Sequence, residues 1–227
     1  MKKGRLFVIE GLDGSGKATQ AKALAAALQA EGHRVREITF PNYESDSSAL
    51  VKMYLGGAFG DKPGDVNAYA ASSFYAVDRY AGYKADWGRF YEAGGILVAD
   101  RYTTSNAVHQ CSKLPETQWQ AFLDWLFCYE FELLGLPRPD AVVYLSVDPV
   151  ISQKLMDGRY HGDETKKDIH EKDLAYLETS RRAAAYCAAH LGWQTVACDK
   201  NGAMRTIDDI HAEVLEIVRE RIEGKTI

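Results

Sequence analysis

Residues 6–10, Leu-Phe-Val-Ile-Glu, run straight into Gly11-Leu12-Asp13-Gly14-Ser15-Gly16-Lys17, and an alanine- and leucine-rich stretch follows as far as Ala30. A short apolar run ended by a glycine-rich turn reads as a buried strand, and alanines and leucines at helical spacing, stopped at Gly32, read as a helix. A strand, a GxxxxGK turn and a helix in that order make a phosphate-binding loop. The glycines let the backbone curl with its N–H groups inward, and the helix N-terminus adds the positive end of its dipole. Lys17 supplies a mobile point charge for terminal phosphates. A turn that merely joined strand to helix would not need that lysine. The cofactor-binding set is therefore Gly11, Gly14, Ser15, Gly16, Lys17, Ala18 and Thr19. Ala18 departs from the pattern, which asks for a Ser or Thr hydroxyl to ligate Mg²⁺, and Thr19 lies about 100° further round the helix. Either water and carboxylates hold the metal instead, or metal-dependent catalysis is weakened.

The same alternation continues along the chain. Segments 35–40, 96–99, 141–147 and 195–198 read as strands, and 118–134, 174–191 and 207–222 as helices. Strands alternating with helices imply right-handed βαβ crossovers and a parallel sheet covered on both faces. Segment 56–65, with its glycines, proline and aspartates, reads as a loop rather than a linker, so 1–227 is expected to be one domain.

Composition then removes function classes. The net charge of −5 excludes a strongly basic nucleic-acid coat. No run approaches the ~20 apolar residues of a membrane span. The short apolar run after Lys2 and Lys3 stops at Glu10 and Gly11 without a small-residue cleavage site, so it is expected to be a first strand rather than a signal peptide. Cys111, Cys128, Cys187 and Cys198 form no CxxC pair, and the six histidines form no ligand set, which points to buried thiols in the cytoplasm and no structural zinc.

Read together, Gly11 to Gln20, Phe40-Pro41, Asp78-Arg79 and Asp100-Arg101-Tyr102, followed by Ser105 and Asn106, resemble the thymidylate kinase family of phosphate-binding-loop kinases over nearly the whole chain. The resemblance implies an α/β three-layer sandwich around a central five-stranded parallel sheet. It implies transfer of the ATP γ-phosphate to dTMP, with ATP and Mg²⁺ as cofactors and a homodimer as the assembly. Helices flanking the third strand carry that dimer in the family. Trp119, Phe122, Trp125 and Phe127 are candidates for it, or for a buried core helix.

Residue roles follow from the same resemblance. Lys17, Arg101, Arg159 and Asp13 form the catalytic set, with Arg101 clamping the acceptor phosphate and Asp13 near the sugar 3′-OH or serving a turn. Asp100 either orients Arg101 or contacts metal-bound water. Tyr75 and Arg79, four apart on a helix over 72–83, face one pocket, where the aromatic stacks on the base and the arginine donates to O4. Asn106 reads the N3 edge, Gln110 is a second polar candidate, and Phe40 and Pro41 border the acceptor. His109 stands where the family often has a tyrosine beside the sugar. Because Gly14 replaces the loop arginine found in some members, the lid over 156–172 is expected to supply the charge through Arg159, and Asp168 and Glu171 hold either Arg159 or the substrate sugar, or cap a helix N-terminus. Two other readings stay open: a kinase of another deoxynucleotide or deoxynucleoside, and a nucleotide-binding protein with weakened catalysis.

Overall fold

The computed structural model describes residues 3–148, 151–152 and 174–224. Five strands, β1 (Arg5–Gly11), β2 (Val35–Thr39), β3 (Ile96–Asp100), β4 (Ala141–Ser146) and β5 (Gln194–Ala197), form one sheet in the order β2-β3-β1-β4-β5. Every pairing in it is parallel. The sheet is the expected five-stranded one, and its strand ends fall within one or two residues of the sequence reading.

The apolar runs of the central strands follow from burial on both faces. Leu6 and Val8 of β1 join Leu97, Ala99, Val142 and Tyr144 on one side. Phe7 and Ile9 join Ile96, Val98, Val143 and Leu145 on the other. The first face is covered by α5 (Thr103–Cys111), α6 (Trp119–Phe127) and α7 (Leu174–His190), and the second by α1 (Lys17–Ala30) and α8 (Ile207–Ile222). Trp119 and Phe122 are buried in the first of these cores, while Trp125 and Phe127 are only partly covered.

Helices α2 (Ala49–Leu55), α3 (Ala68–Gly82) and α4 (Gly88–Glu92) fill the crossover from β2 to β3. Asn67 caps α3 by accepting from the Ala70 N–H at 2.9 Å. One segment differs from expectation. The single helix read over 118–134 is regular only through α6, and residues Cys128–Leu133 form a widened turn, with the Leu134 N–H reaching back to the Tyr129 carbonyl at 3.0 Å. The wider turn swings Glu130 inward to a buried arginine. Satisfying that pair outweighs a regular helical ladder, and periodicity cannot register it.

Connections out of β1 and β3 run to opposite sides of the sheet, so a crevice opens at the carboxyl ends of these strands. Open parallel sheets bind ligands at such a switch point.

Candidate active site

A cavity of about 1030 Å³ occupies this crevice. Its walls include Asp13 to Gln20 from the β1–α1 turn and the first turn of α1, Phe40 and Pro41 after β2, Tyr75 and Arg79 from α3, Asp100 and Arg101 at the end of β3, and Asn106, His109 and Gln110 from α5. Of the residues singled out in sequence, Gly11 forms the end of β1 beneath it, and Arg159 and the lid over 156–172 lie outside the described residues, as do Asp168 and Glu171. The others are brought together.

The loop is tight enough to require its glycines. A Cβ on Gly11 would lie 2.5 Å from Ser15 Oγ and 2.9 Å from the Leu145 carbonyl. Gly16 precedes α1 at φ 86°, a left-handed conformation that side chains rarely adopt. The first-turn N–H groups of α1 have no partner within the helix, so Lys17, Ala18 and Thr19 offer backbone donors to an anion. Lys17 Nζ donates to the Leu12 carbonyl at 2.9 Å and lies 3.7 Å from Asp13. Burial, and then the neighbouring Arg101 charge, push Lys17 down to about 8 despite the nearby carboxylates. A cation so poorly compensated gains from an incoming phosphate.

Arg101 is held from several directions at once. Its backbone is left-handed at φ 68°, a strain of about 1–3 kcal/mol of the kind that gathers at functional sites. The guanidinium is ion-paired with Asp13, sits 3.4 Å from Ser105 Oγ and 3.5 Å from His109 Nε2, and lies 4.0 Å from Glu10. Burial opposes its charge, but Asp13, Glu10 and Asp100 together hold the guanidinium above its ordinary value. Asp13 thus orients Arg101, a task assigned to Asp100 as one option in sequence. Asp100 instead keeps Oδ1 buried with no hydrogen-bond partner among the described residues, and burial raises its carboxyl.

His109 is half-buried beside Arg101, and desolvation followed by the Arg101 charge pushes it down to about 3, so the ring is neutral. It packs 6.2 Å from the Tyr176 ring in a stacked arrangement, centroid to centroid. Tyr75 is half-buried in the wall, whereas its neighbour Phe74 packs on Tyr54 and Phe59. Gln110 is buried, with Oε1 lacking a partner among the described residues.

Two carboxylates were not singled out in sequence. Glu10 is 1% exposed and accepts from the Gly11 N–H at 3.0 Å, Thr104 Oγ1 at 2.6 Å and Ser105 Oγ at 2.8 Å. Its signal was available, because an acid ending a wholly apolar strand is seldom buried without partners. Glu130 is fully buried against Arg79, and nothing local marks it.

The sequence model of the thymidylate kinase family matches residues 9–211. The chain belongs to the thymidylate kinase family. As a thymidylate kinase it is an ATP-dependent phosphotransferase that converts dTMP to dTDP. It is 32% identical over 192 residues to thymidylate kinase of Mycobacterium tuberculosis (strain H37Rv), covering 83% of this chain and 87% of that one. Over 216 residues it is 26% identical to the Schizosaccharomyces pombe thymidylate kinase, covering 95% and 92% of the two chains. The solved thymidylate kinase of Candida albicans superposes with a TM-score of 0.71 at 21% identity, over 99% of this chain and 95% of that one, and shares the fold. Among the described residues, no helix is long and apolar enough to cross a membrane.

Proposed function

We propose that the transfer from ATP to dTMP runs in this cavity, with the phosphate loop on the donor and Arg101 on the acceptor phosphate. The observation that carries the assignment is convergence: the α1 N-terminus, Lys17 and Arg101 border one 1030 Å³ space from different strand ends. Phosphoryl transfer asks the protein for positioning and positive charge rather than covalent chemistry. Backbone N–H groups around Gly14 to Ala18 hold the donor phosphates, and Lys17 neutralises charge on the transferring group. Arg101 releases part of its contact with Asp13 to take the acceptor phosphate in bidentate fashion. Tyr75 offers a flat face to the base, and Arg79 and Asn106 offer polar edges, with Gln110, Phe40 and Pro41 completing the wall.

The donor set also suits Mg²⁺. The unpartnered Asp100 Oδ1 is a hard oxygen in the right wall, and Mg²⁺ commonly takes only one or two carboxylates beside phosphates and water. When bound it would neutralise charge on the nucleotide phosphates, and Asp100 would hold it in place of the hydroxyl that Ala18 lacks.

Two further parts of the reading are proposals of wider scope. The unpaired cysteines suit the cytoplasm. The exposed apolar positions Tyr69, Val77 and Tyr80 fall along α3 and suit a homodimer of one-domain subunits.

Coupled ADP release with ATP and Mg²⁺, run with dTMP, dUMP, dCMP, dGMP and thymidine, tests the acceptor assignment. Turnover led by dTMP is expected. Turnover led by thymidine or by dGMP would overturn the roles of Arg101 or of the base wall respectively.

A further inference from the structure

Glu130 lies in the widened turn after α6, and its residue is fully buried. Four donors converge on its carboxylate. Arg79 gives Nε at 2.7 Å and also Nη2, Thr103 gives Oγ1 at 2.6 Å, and Asn106 gives Nδ2 at 3.2 Å. The other hydrogen of Asn106 Nδ2 goes to the Ser72 carbonyl at 3.2 Å.

These contacts determine what faces the cavity. An ion-paired carboxylate and a backbone carbonyl can only accept, so both neighbours of the Asn106 amide demand its NH₂. The carboxamide therefore cannot flip without setting oxygen against oxygen, and Oδ1 is left as the outward atom. On Arg79, Glu130 takes the Nε and Nη2 edge, which leaves Nη1 without a hydrogen-bond acceptor among the described residues. Phe40 and Tyr102, 6.0 and 5.9 Å from the guanidinium carbon, hold its plane. The wall thus presents one donor, Arg79 Nη1, beside one acceptor, Asn106 Oδ1, and both residues line the cavity.

A donor beside an acceptor complements an imide edge, in which a carbonyl oxygen adjoins an N–H. It opposes an amidine edge, in which an amino group adjoins a bare ring nitrogen. Thymine and uracil carry the first and cytosine the second.

We propose that Glu130 is the positioning residue that sets acceptor-base selectivity, by locking the Asn106 carboxamide and the Arg79 guanidinium in the imide-reading arrangement. It rests on the reading of this cavity as the acceptor site. Glu130 touches neither base nor phosphate. Its effect passes through two other side chains, and its removal should alter discrimination and KM before kcat.

The test is Glu130→Gln, assayed with dTMP as substrate and with dCMP as both substrate and competitive inhibitor. Glutamine can donate to Asn106 Oδ1, which frees the carboxamide to turn, and it no longer pairs the Arg79 charge. The expected result is a rise in KM for dTMP with kcat much less affected. The preference for dTMP over dCMP should narrow by about tenfold or more, because a site built to hydrogen-bond one edge discriminates by leaving groups unpaired against the other. If Glu130→Gln does not fold, Thr103→Val removes one donor and keeps the ion pair, and the preference should narrow by about threefold. A preference that stays constant, whether both acceptors weaken together or neither changes, would overturn the role of Glu130. Wild-type enzyme that ignores dTMP would instead overturn the acceptor reading, and this inference with it.

Discussion

At the scale of single residues, the site is governed by cations whose charge is under unequal pressure. Arg101 is surrounded by carboxylates and stays charged, whereas burial and the Arg101 field push Lys17 down to about 8. A bound triphosphate reverses that pressure, since its charge favours the protonated amine. Anion binding therefore draws on the protonated form, which dominates below about 8 and is lost above it. Metal-free ATP should bind progressively more weakly as pH rises through this value, in calorimetric titrations, and Lys17→Ala should show no such step. The same substitution should lower turnover by about a hundredfold or more, the scale at which loss of one preorganised charge is felt. Near-normal turnover of Lys17→Ala would refute the assigned role.

At the scale of elements, the part of the chain between β2 and β3 is also tied to the segment after α5 by a half-buried lysine. Lys113, just past α5, donates to Tyr54 Oη of α2 at 2.6 Å and to the Val66 carbonyl at 3.2 Å. Its ammonium also lies 4.8 Å from the centre of the Tyr54 ring, and burial pushes it down to about 7. Because the folded value lies below the unfolded one, the charged lysine weakens folding below about 7, where both states are protonated. As pH climbs from about 7 toward the ordinary lysine range, the folded chain sheds this proton while the unfolded chain retains it, and stability rises. Lys113→Met lacks that response. The wild-type melting temperature minus that of the variant should therefore increase between pH 7 and pH 9 in thermal melts. A constant difference would mean that Lys113 stays fully charged in the fold.

At the scale of the whole molecule, the proposed dimer rests on α3. Tyr69, Val77 and Tyr80 are 42%, 47% and 38% exposed, and Tyr69 leans on Trp125 at 4.6 Å between ring centres. Light scattering should give twice the chain mass for the wild type. Val77→Asp, placing a charge in the middle of the stripe, should shift the mass to that of a single chain. A wild-type protein of single-chain mass would remove the dimer from the reading.

Local pattern was enough for the sheet and the phosphate loop. Unbroken apolar runs marked β1, β3 and β4, because burial on both faces leaves that signature, alternation marked the half-exposed edge strand β2, and GxxxxGK between strand and helix specified its own geometry. Helix α1 has the bounds read from the sequence, since its alanines, leucines and glycine stop act over a few residues. Other features depend on partners far apart in the chain, and no local pattern encodes them. Asp13 pairs with Arg101 across 88 positions, Arg79 with Glu130 across 51, and Glu10 accepts from Thr104 across 94. The widened turn at Cys128–Leu133 belongs to this group, because the buried Arg79 charge, with Thr103 and Asn106, makes an inward Glu130 favourable. Sequence alone determined a parallel sheet with a GxxxxGK loop between its first strand and first helix. Tertiary structure decided which carboxylate holds which arginine, because a buried charge must find its counter-ion wherever the fold brings one within reach.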